Sequence, residues 1–143
     1  MARQPKPTER DLVDRADREL LAAAKAVRAR SYSPYSRYAV GAALRGKSGR
    51  IYTGTNVENA SYSLTICAER AALFKAISEG ERAFVALAVV TRNGGTPCGA
   101  CRQVLAEFGT HIRVIVAGVG LRPTTYALAE LLPHSFDSGK LPK

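Results

Sequence analysis

The chain is 143 residues long, enough for one domain with its own hydrophobic core. With 46% hydrophobic and 23% charged residues it reads as a soluble globular chain: no run approaches the roughly 20 apolar residues of a membrane span, and Met1-Ala2-Arg3-Gln4-Pro5-Lys6-Pro7 lacks the apolar stretch of a secretory signal. The net charge of +9 is spread without a dense basic run or interleaved aromatics, so a nucleic-acid partner is disfavoured against a solvated basic exterior.

Residues 1–7, with two prolines and two basic groups, read as a disordered tail. A single domain is expected over 8–136, followed by a loose tail at 137–143. Thr8-x-x-Asp11 is a weak relative of the capping box. Leu12, Val13, Ala16, Leu20, Ala23, Ala24 and Val27 recur at helical spacing and predict one amphipathic helix over 9–29, with Arg28 and Arg30 suiting its C-terminal dipole. Ser31 to Ser36 is a loop, because Pro34 drives Ser33 out of helical geometry. Residues 38–44 form a strand of small side chains, Gly46-Lys47-Ser48-Gly49 turns the chain, and 50–56 return as a second strand. So short a connection makes the pair an antiparallel hairpin. The small residues ask for a helix or a ligand close against the first strand.

A polar, irregular stretch follows at 56–65, then a helix over 66–78 stopped by Gly80. Phe84 to Val90 is a continuous apolar run, as in a strand buried on both faces. A loop at 92–97 leads to a helix over 98–108, stopped at Gly109, and a buried strand over 112–117. Gly118-Val119-Gly120 turns into a short fifth strand at 121–125, and a last helix at 126–132 is halted by Pro133. This order predicts a three-layer α/β/α domain around a mixed five-stranded sheet.

The three cysteines fall in two stretches, Cys67-Ala68-Glu69-Arg70 and Pro97-Cys98-Gly99-Ala100-Cys101-Arg102. An odd count with a C-x-x-C spacing points to metal ligation in a reducing compartment, by default the cytoplasm. Cys98 and Cys101 share one face at the start of a helix and Cys67 opens the preceding one, so two helix N-termini favour the thiolate forms. Three thiolates leave one tetrahedral position of Zn²⁺ open, the arrangement of a catalytic zinc. A water there is activated near neutral pH, and Glu69 is placed to move its protons, which is the pattern of zinc deaminases.

Each residue also has a plainer use. Cys67 alone would be a small buried hydrophobe, the C-x-x-C a redox pair, and Glu69 a first-turn glutamate on the helix dipole. The redox reading leaves Cys67 and Glu69 unexplained. A structural zinc needs a fourth protein ligand; His111 and His134 are the only histidines, and an isolated histidine is more often a surface or turn residue. Positions two apart on a helix point apart, so Cys67 must sit at the non-helical cap if it and Glu69 are to face one pocket. Three thiolates and a hydroxide overcompensate Zn²⁺ and would raise the water's pKa. Arg70, with the helix ends and Arg102, is available to draw charge from sulfur.

At these residues the sequence resembles the small zinc-dependent cytidine deaminases of nucleoside salvage. Pro34-Tyr35-Ser36, Val40-Gly41-Ala42-Ala43, Asn56-Val57-Glu58-Asn59-Ala60-Ser61-Tyr62, Ile66-Cys67-Ala68-Glu69-Arg70, Pro97-Cys98-Gly99-Ala100-Cys101-Arg102-Gln103-Val104 and Glu130-Leu131-Leu132-Pro133 follow the family pattern in family order. The resemblance implies one Zn²⁺ per chain on Cys67, Cys98 and Cys101, Glu69 as proton shuttle, and Asn56 and Glu58 on the ribose 3′-hydroxyl. An amide and a carboxylate two apart on a strand face the same way and suit a sugar diol, although strand-end turns use the same residue types. Tyr38 stands where the family usually has a Phe packed against the pyrimidine; its hydroxyl needs a partner. Ala39 stands where Pro is common. Backbone groups near Ala68 and Cys98 are candidate anchors for the base.

The family further implies homotetramers in which neighbouring subunits complete each pocket, the matching positions being Ala60, Tyr62 and Phe136. The implied reaction is hydrolytic deamination of cytidine and 2′-deoxycytidine to uridine and 2′-deoxyuridine plus ammonia, in pyrimidine salvage. Enzymes that edit cytosine in single-stranded nucleic acid usually carry His at the place of Cys67, and the Asn56/Glu58 pair suits a free nucleoside. The intact Asn-x-Glu-Asn stretch favours cytidine over a cytosine nucleoside antibiotic.

Overall fold

Helix α1 (Arg15–Arg28) starts at Asp14, whose Oδ1 accepts the Asp17 N–H at 2.8 Å and so satisfies one of the helix's free amide groups. The structure, a computed structural model, describes residues 14–143. The expected tail at 1–7, the Thr8 cap and residues 9–13 lie outside them. Strands β1 (Gly41–Gly46) and β2 (Ile51–Thr55) form the expected antiparallel hairpin. Its turn contains Gly49 at φ 93°, a conformation that favours glycine. Then come α2 (Ala68–Ser78), β3 (Phe84–Thr91), α3 (Gly99–Ala106), β4 (Arg113–Gly118), β5 (Thr124–Ala127) and the single turn α4 (Leu128–Leu131).

The five strands make one sheet in the order β2-β1-β3-β4-β5. The β3–β4 pair is parallel and the others are antiparallel. Alternate residues along β3 and β4 face opposite layers. Ala86, Ala88, Val90 and Ile115 pack with Leu20 and Ala24 of α1. Leu87, Val89, Val114 and Val116 pack with Leu73 of α2, Leu105 of α3 and Leu128 of α4. This is the three-layer α/β/α fold with a mixed five-stranded sheet. The small residues of the hairpin serve helix packing: a Cβ on Gly41 would lie 2.1 Å from the Ala24 carbonyl oxygen, and one on Gly54 2.5 Å from the Ala72 nitrogen. Among the described residues no helix is long and apolar enough to cross a membrane.

Several boundaries differ from the sequence reading, each for a local reason. Strand β1 begins at Gly41 rather than at 38, because the Asn56 side chain captures the backbone ahead of it, accepting from Val40 N at 2.9 Å and donating to Tyr38 O at 2.7 Å. Helix α2 begins at Ala68 rather than at 66, because Ile66 pairs with Val57 in an extended bridge. Strand β5 lies at Thr124–Ala127 rather than 121–125. The Gly118–Leu121 turn, closed by a 3.0 Å hydrogen bond, and Pro123 use up the residues before it. The last helix is correspondingly cut to 128–131.

Candidate active site

Cys67 and Cys98 are the residues immediately before α2 and α3, both in extended conformation (φ −75°, ψ 151° and φ −65°, ψ 165°). Cys67 thus occupies the non-helical cap that a shared pocket with Glu69 requires. Cys101 lies in the first turn of α3, buried. The Cys67 and Cys98 sulfurs are 3.9 Å apart, those of Cys98 and Cys101 3.5 Å, and all three fall within 4.8 Å of one another. Zinc–sulfur bonds of about 2.3 Å at tetrahedral angles put sulfurs about 3.8 Å apart, so the donor set fits zinc in type and spacing. Among the described residues no fourth Cys, His, Asp or Glu joins the cluster. His111 is placed instead with Nε2 3.2 Å from the Phe84 carbonyl, and His134 sits in a turn at φ 52°.

Arg70 reaches the cluster: its Nη2 donates to Cys67 Sγ at 3.2 Å. Its buried Nε meets no hydrogen-bond acceptor among the described residues. Arg102 does not assist: its guanidinium donates to Pro97 O at 2.7 Å, Leu131 O at 2.7 Å and Thr96 Oγ1 at 2.9 Å. It braces the loop ahead of Cys98. Interaction with the Cys101 thiol, and then with Arg70, holds Cys67 down to about 5. The same pairing, with burial, pushes Cys101 up. Glu69 is 5% exposed, and loss of hydration raises its pKa against the lowering effect of a Cys101 hydrogen bond.

A cavity of about 350 Å³ opens beside the cluster, within the range of small-molecule sites. Its wall includes Tyr38, Asn56, Glu58, Tyr62, Cys67, Ala68, Glu69 and Cys98, residues drawn from four separate stretches of chain. Ala60 and Phe136 are exposed and are not on this wall; the Phe136 carbonyl accepts from Gln103 Nε2 at 3.0 Å. Asn56 accepts at Oδ1 from Val40 N and the Ser31 hydroxyl and donates from Nδ2 to Tyr38 O, which leaves one Nδ2 hydrogen. Glu58 Oε1 accepts from Tyr35 N at 2.9 Å and Ser36 N at 3.1 Å, and Oε2 from the Ser36 hydroxyl. These donors, the Ser36 hydroxyl foremost, hold the Glu58 carboxyl below the usual range.

Sequence reasoning gave no role to Ser31, Ser36, Thr91 or Asn93. Ser31 and Ser36 act through the expected pair, as partners of Asn56 and Glu58. Thr91 lines the cavity, and its signal was a polar residue closing the apolar run of β3. Asn93 accepts the Tyr38 hydroxyl at 2.6 Å, giving that hydroxyl the partner it needed.

Residues 14–118 match the family model described as the cytidine and deoxycytidylate deaminase zinc-binding region. The chain is 47% identical over 126 residues to a cytidine deaminase of Sporosarcina psychrophila, covering 86% of this chain and 93% of that one. It is 50% identical over 125 residues to a cytidine deaminase of Halalkalibacterium halodurans, covering 84% and 94%. The crystal structure of cytidine deaminase from Burkholderia pseudomallei is similar at TM-score 0.80 and 44% identity, over 83% of this chain and 98% of that one. Similarity over more than four fifths of the chain, joined to a thiol cluster of zinc-binding geometry, identifies the chain as a member of the cytidine and deoxycytidylate deaminase family.

Proposed function

We propose that the chain hydrolyses cytidine and 2′-deoxycytidine to uridine and 2′-deoxyuridine, releasing ammonia, as a cytoplasmic enzyme of pyrimidine salvage. One observation carries the reading: a three-thiol cluster without a fourth protein donor among the described residues borders the same cavity as buried Glu69 and the Asn56/Glu58 pair. Cys67, Cys98 and Cys101 would hold one Zn²⁺ per chain, which when bound activates water for attack near neutral pH. Glu69 takes the proton from the attacking water and delivers it to N3 of the pyrimidine as the C4–O bond forms. It then takes the second proton from the new C4 hydroxyl and passes it to the departing amine as the C4–N bond breaks and the C4 carbonyl forms, so water and cytidine become uridine and ammonia. The placement of Glu69, 5% exposed on the cavity wall beside the thiol cluster, supports that role. Arg70 disperses negative charge from Cys67.

Asn56 and Glu58 keep one N–H and one oxygen lone pair, on Glu58 Oε2, for the ribose 3′-hydroxyl. The Tyr38 ring flanks the base, and backbone groups at Ala68 and Cys98 serve its polar edge. Ala60, Tyr62 and Phe136 would complete the pockets of neighbouring chains in a homotetramer. Phe136, 58% exposed and off this chain's own cavity wall, is available for such a contact.

The test is metal analysis with cytidine turnover, beside Glu69→Ala. About one zinc per chain, ammonia released in step with cytidine loss, and a zinc-loaded variant slowed on the order of 10³-fold are expected. Light scattering should give the mass of four chains. Zinc-loaded protein that leaves both nucleosides intact would overturn the proposal.

A further inference from the structure

The loop that leaves β3 and delivers Cys98 is held at both ends by this chain's own side chains. At its start, buried Thr91 accepts at Oγ1 from Gly94 N at 2.8 Å and Gly95 N at 3.1 Å. At its end, Arg102 grips Thr96 and Pro97. Asn93 lies inside the turn closed by Thr91, and Gly94 at φ 78° and Gly95 are backbone that is intrinsically costly to order. Three contacts of this stretch meet at Tyr38, while Asn93 Oδ1 also lies 3.5 Å from Thr91 Oγ1. The Tyr38 hydroxyl donates to Asn93 Oδ1 at 2.6 Å, the Arg92 guanidinium lies 5.6 Å from the Tyr38 ring centroid, and a Cβ on Gly95 would come 2.8 Å from the hydroxyl oxygen. Tyr38 is fixed at its backbone too: its carbonyl accepts from Asn56 and its N–H donates to Ser36 Oγ at 3.0 Å. Asn56 and Ser36 belong to the hydrogen-bonded group around the sugar pair. Tyr38 therefore joins that end of the cavity to the loop that presents Cys98.

We infer that Asn93 is a positioning residue: by holding the Tyr38 hydroxyl it fixes the aromatic wall and the 92–97 loop at one spacing, so that the nucleoside enters a slot already formed. The inference rests on the proposed cytidine reaction for its kinetic consequence, but the latch itself is a property of the free protein. Cys67, Glu69 and Cys101 are placed by α2 and α3, so loss of the latch loosens binding rather than chemistry.

Tyr38→Phe, Asn93→Ala, Asn93→Asp and the Tyr38→Phe/Asn93→Ala pair test it by cytidine kinetics, zinc content and amide hydrogen exchange over 91–97. Tyr38→Phe and Asn93→Ala should each raise KM about three- to tenfold, the worth of one hydrogen bond, with kcat within about twofold. Zinc content stays constant and exchange at Gly94 and Gly95 accelerates. The pair should be no worse than Asn93→Ala alone, and Asn93→Asp, which keeps the acceptor oxygen, should restore both KM and protection. KM effects that multiply in the pair, N93D behaving as N93A, or unchanged exchange in both single variants would overturn the latch. Exchange is read without turnover, so a wild-type protein inert toward cytidine sinks the reaction while exchange still decides the latch.

Discussion

Two glycines lie beneath two helices, and one of those helices carries Glu69, the proposed proton shuttle. A Cβ on Gly54 of β2 would come 2.5 Å from Ala72 N and 2.7 Å from Ala68 O, both backbone atoms of α2. One on Gly41 of β1 would come 2.1 Å from Ala24 O and 2.8 Å from Arg28 N, backbone of α1. Neither glycine has positive φ, so alanine suits the local conformation and the collision is the whole cost. Regaining an ordinary contact of 3.4 Å moves α2 off the sheet by about 0.9 Å, or α1 by about 1.3 Å. Overpacking of this kind costs about 1–3 kcal/mol, offset by about 0.4–1 kcal/mol because alanine stiffens the unfolded chain. Both Gly→Ala variants should therefore lose on the order of 5 °C in Tm. They part at the site. Helix α2 carries Glu69 and follows Cys67, so Gly54→Ala shifts one sulfur and the carboxylate against the two sulfurs of α3; a misplacement near 1 Å costs roughly 10²-fold in kcat. Helix α1 carries no site residue, and Gly41→Ala should keep kcat within about threefold. Thermal melts, chelator competition for zinc and cytidine kinetics on both variants decide it. Equal losses of kcat, or a destabilised Gly54 variant with full kcat, would refute the idea that the site rides on this helix–strand contact.

Arg70→Gln removes the donor to Cys67 and should weaken zinc binding roughly 10–100-fold in competition with a chromophoric chelator; unchanged affinity would mean the sulfur needs no such support. Arg113→Met strips the 6%-exposed Asp17 side chain of two donors at 2.7 Å and 2.9 Å. Breaking a fully buried pair costs about 3–5 kcal/mol, but Arg113 is 40% exposed, so solvent screening reduces the expected loss in urea melts to about 1–3 kcal/mol. Adding Asp17→Asn should recover part of that loss, and kcat should not change in either variant.

The layered fold was legible because its strongest signals are long-range patterns. The apolar runs of β3 and β4 read as strands covered on both faces, and Gly46–Gly49 and Gly109 punctuate the chain whatever packs on it. The thiols were legible for a chemical reason, since Cys98 and Cys101 three apart at a helix start face one ion. Errors arose where a side chain replaced the backbone ladder. Nothing in residues 38–44 announces that Asn56 will take the Val40 N–H, whereas at 121–123 the signal was present in Pro123, a residue that cannot donate to a strand ladder. Arg102 follows Cys101 in sequence, yet its guanidinium is directed at three oxygen acceptors away from the thiols. Asn93 is one residue of a polar loop until folding sets it against Tyr38, 55 positions away.

That entanglement of scaffold and site decides which substitution can reveal a sugar contact. Asn56 is 8% exposed and spends three of its four hydrogen-bonding capacities on Ser31, Tyr38 and Val40. Asn56→Ala strands backbone groups at about 1–3 kcal/mol each, so its inactivity would say little about ribose. Glu58→Gln is the cleaner probe: the retained carbonyl oxygen still accepts from Tyr35 N and Ser36 N, and the Ser36 hydroxyl can turn to accept from the new amide. If Glu58 holds the 3′-hydroxyl, wild-type protein should prefer cytidine over 3′-deoxycytidine by at least about 10²-fold in kcat/KM, because the missing hydroxyl leaves buried polar groups unpaired. Glu58→Gln should shrink that preference by roughly tenfold or more, since a charge-assisted bond becomes a neutral one. A variant that loses activity equally on both nucleosides would place Glu58 in the scaffold alone and return the sugar contact to other groups on the cavity wall.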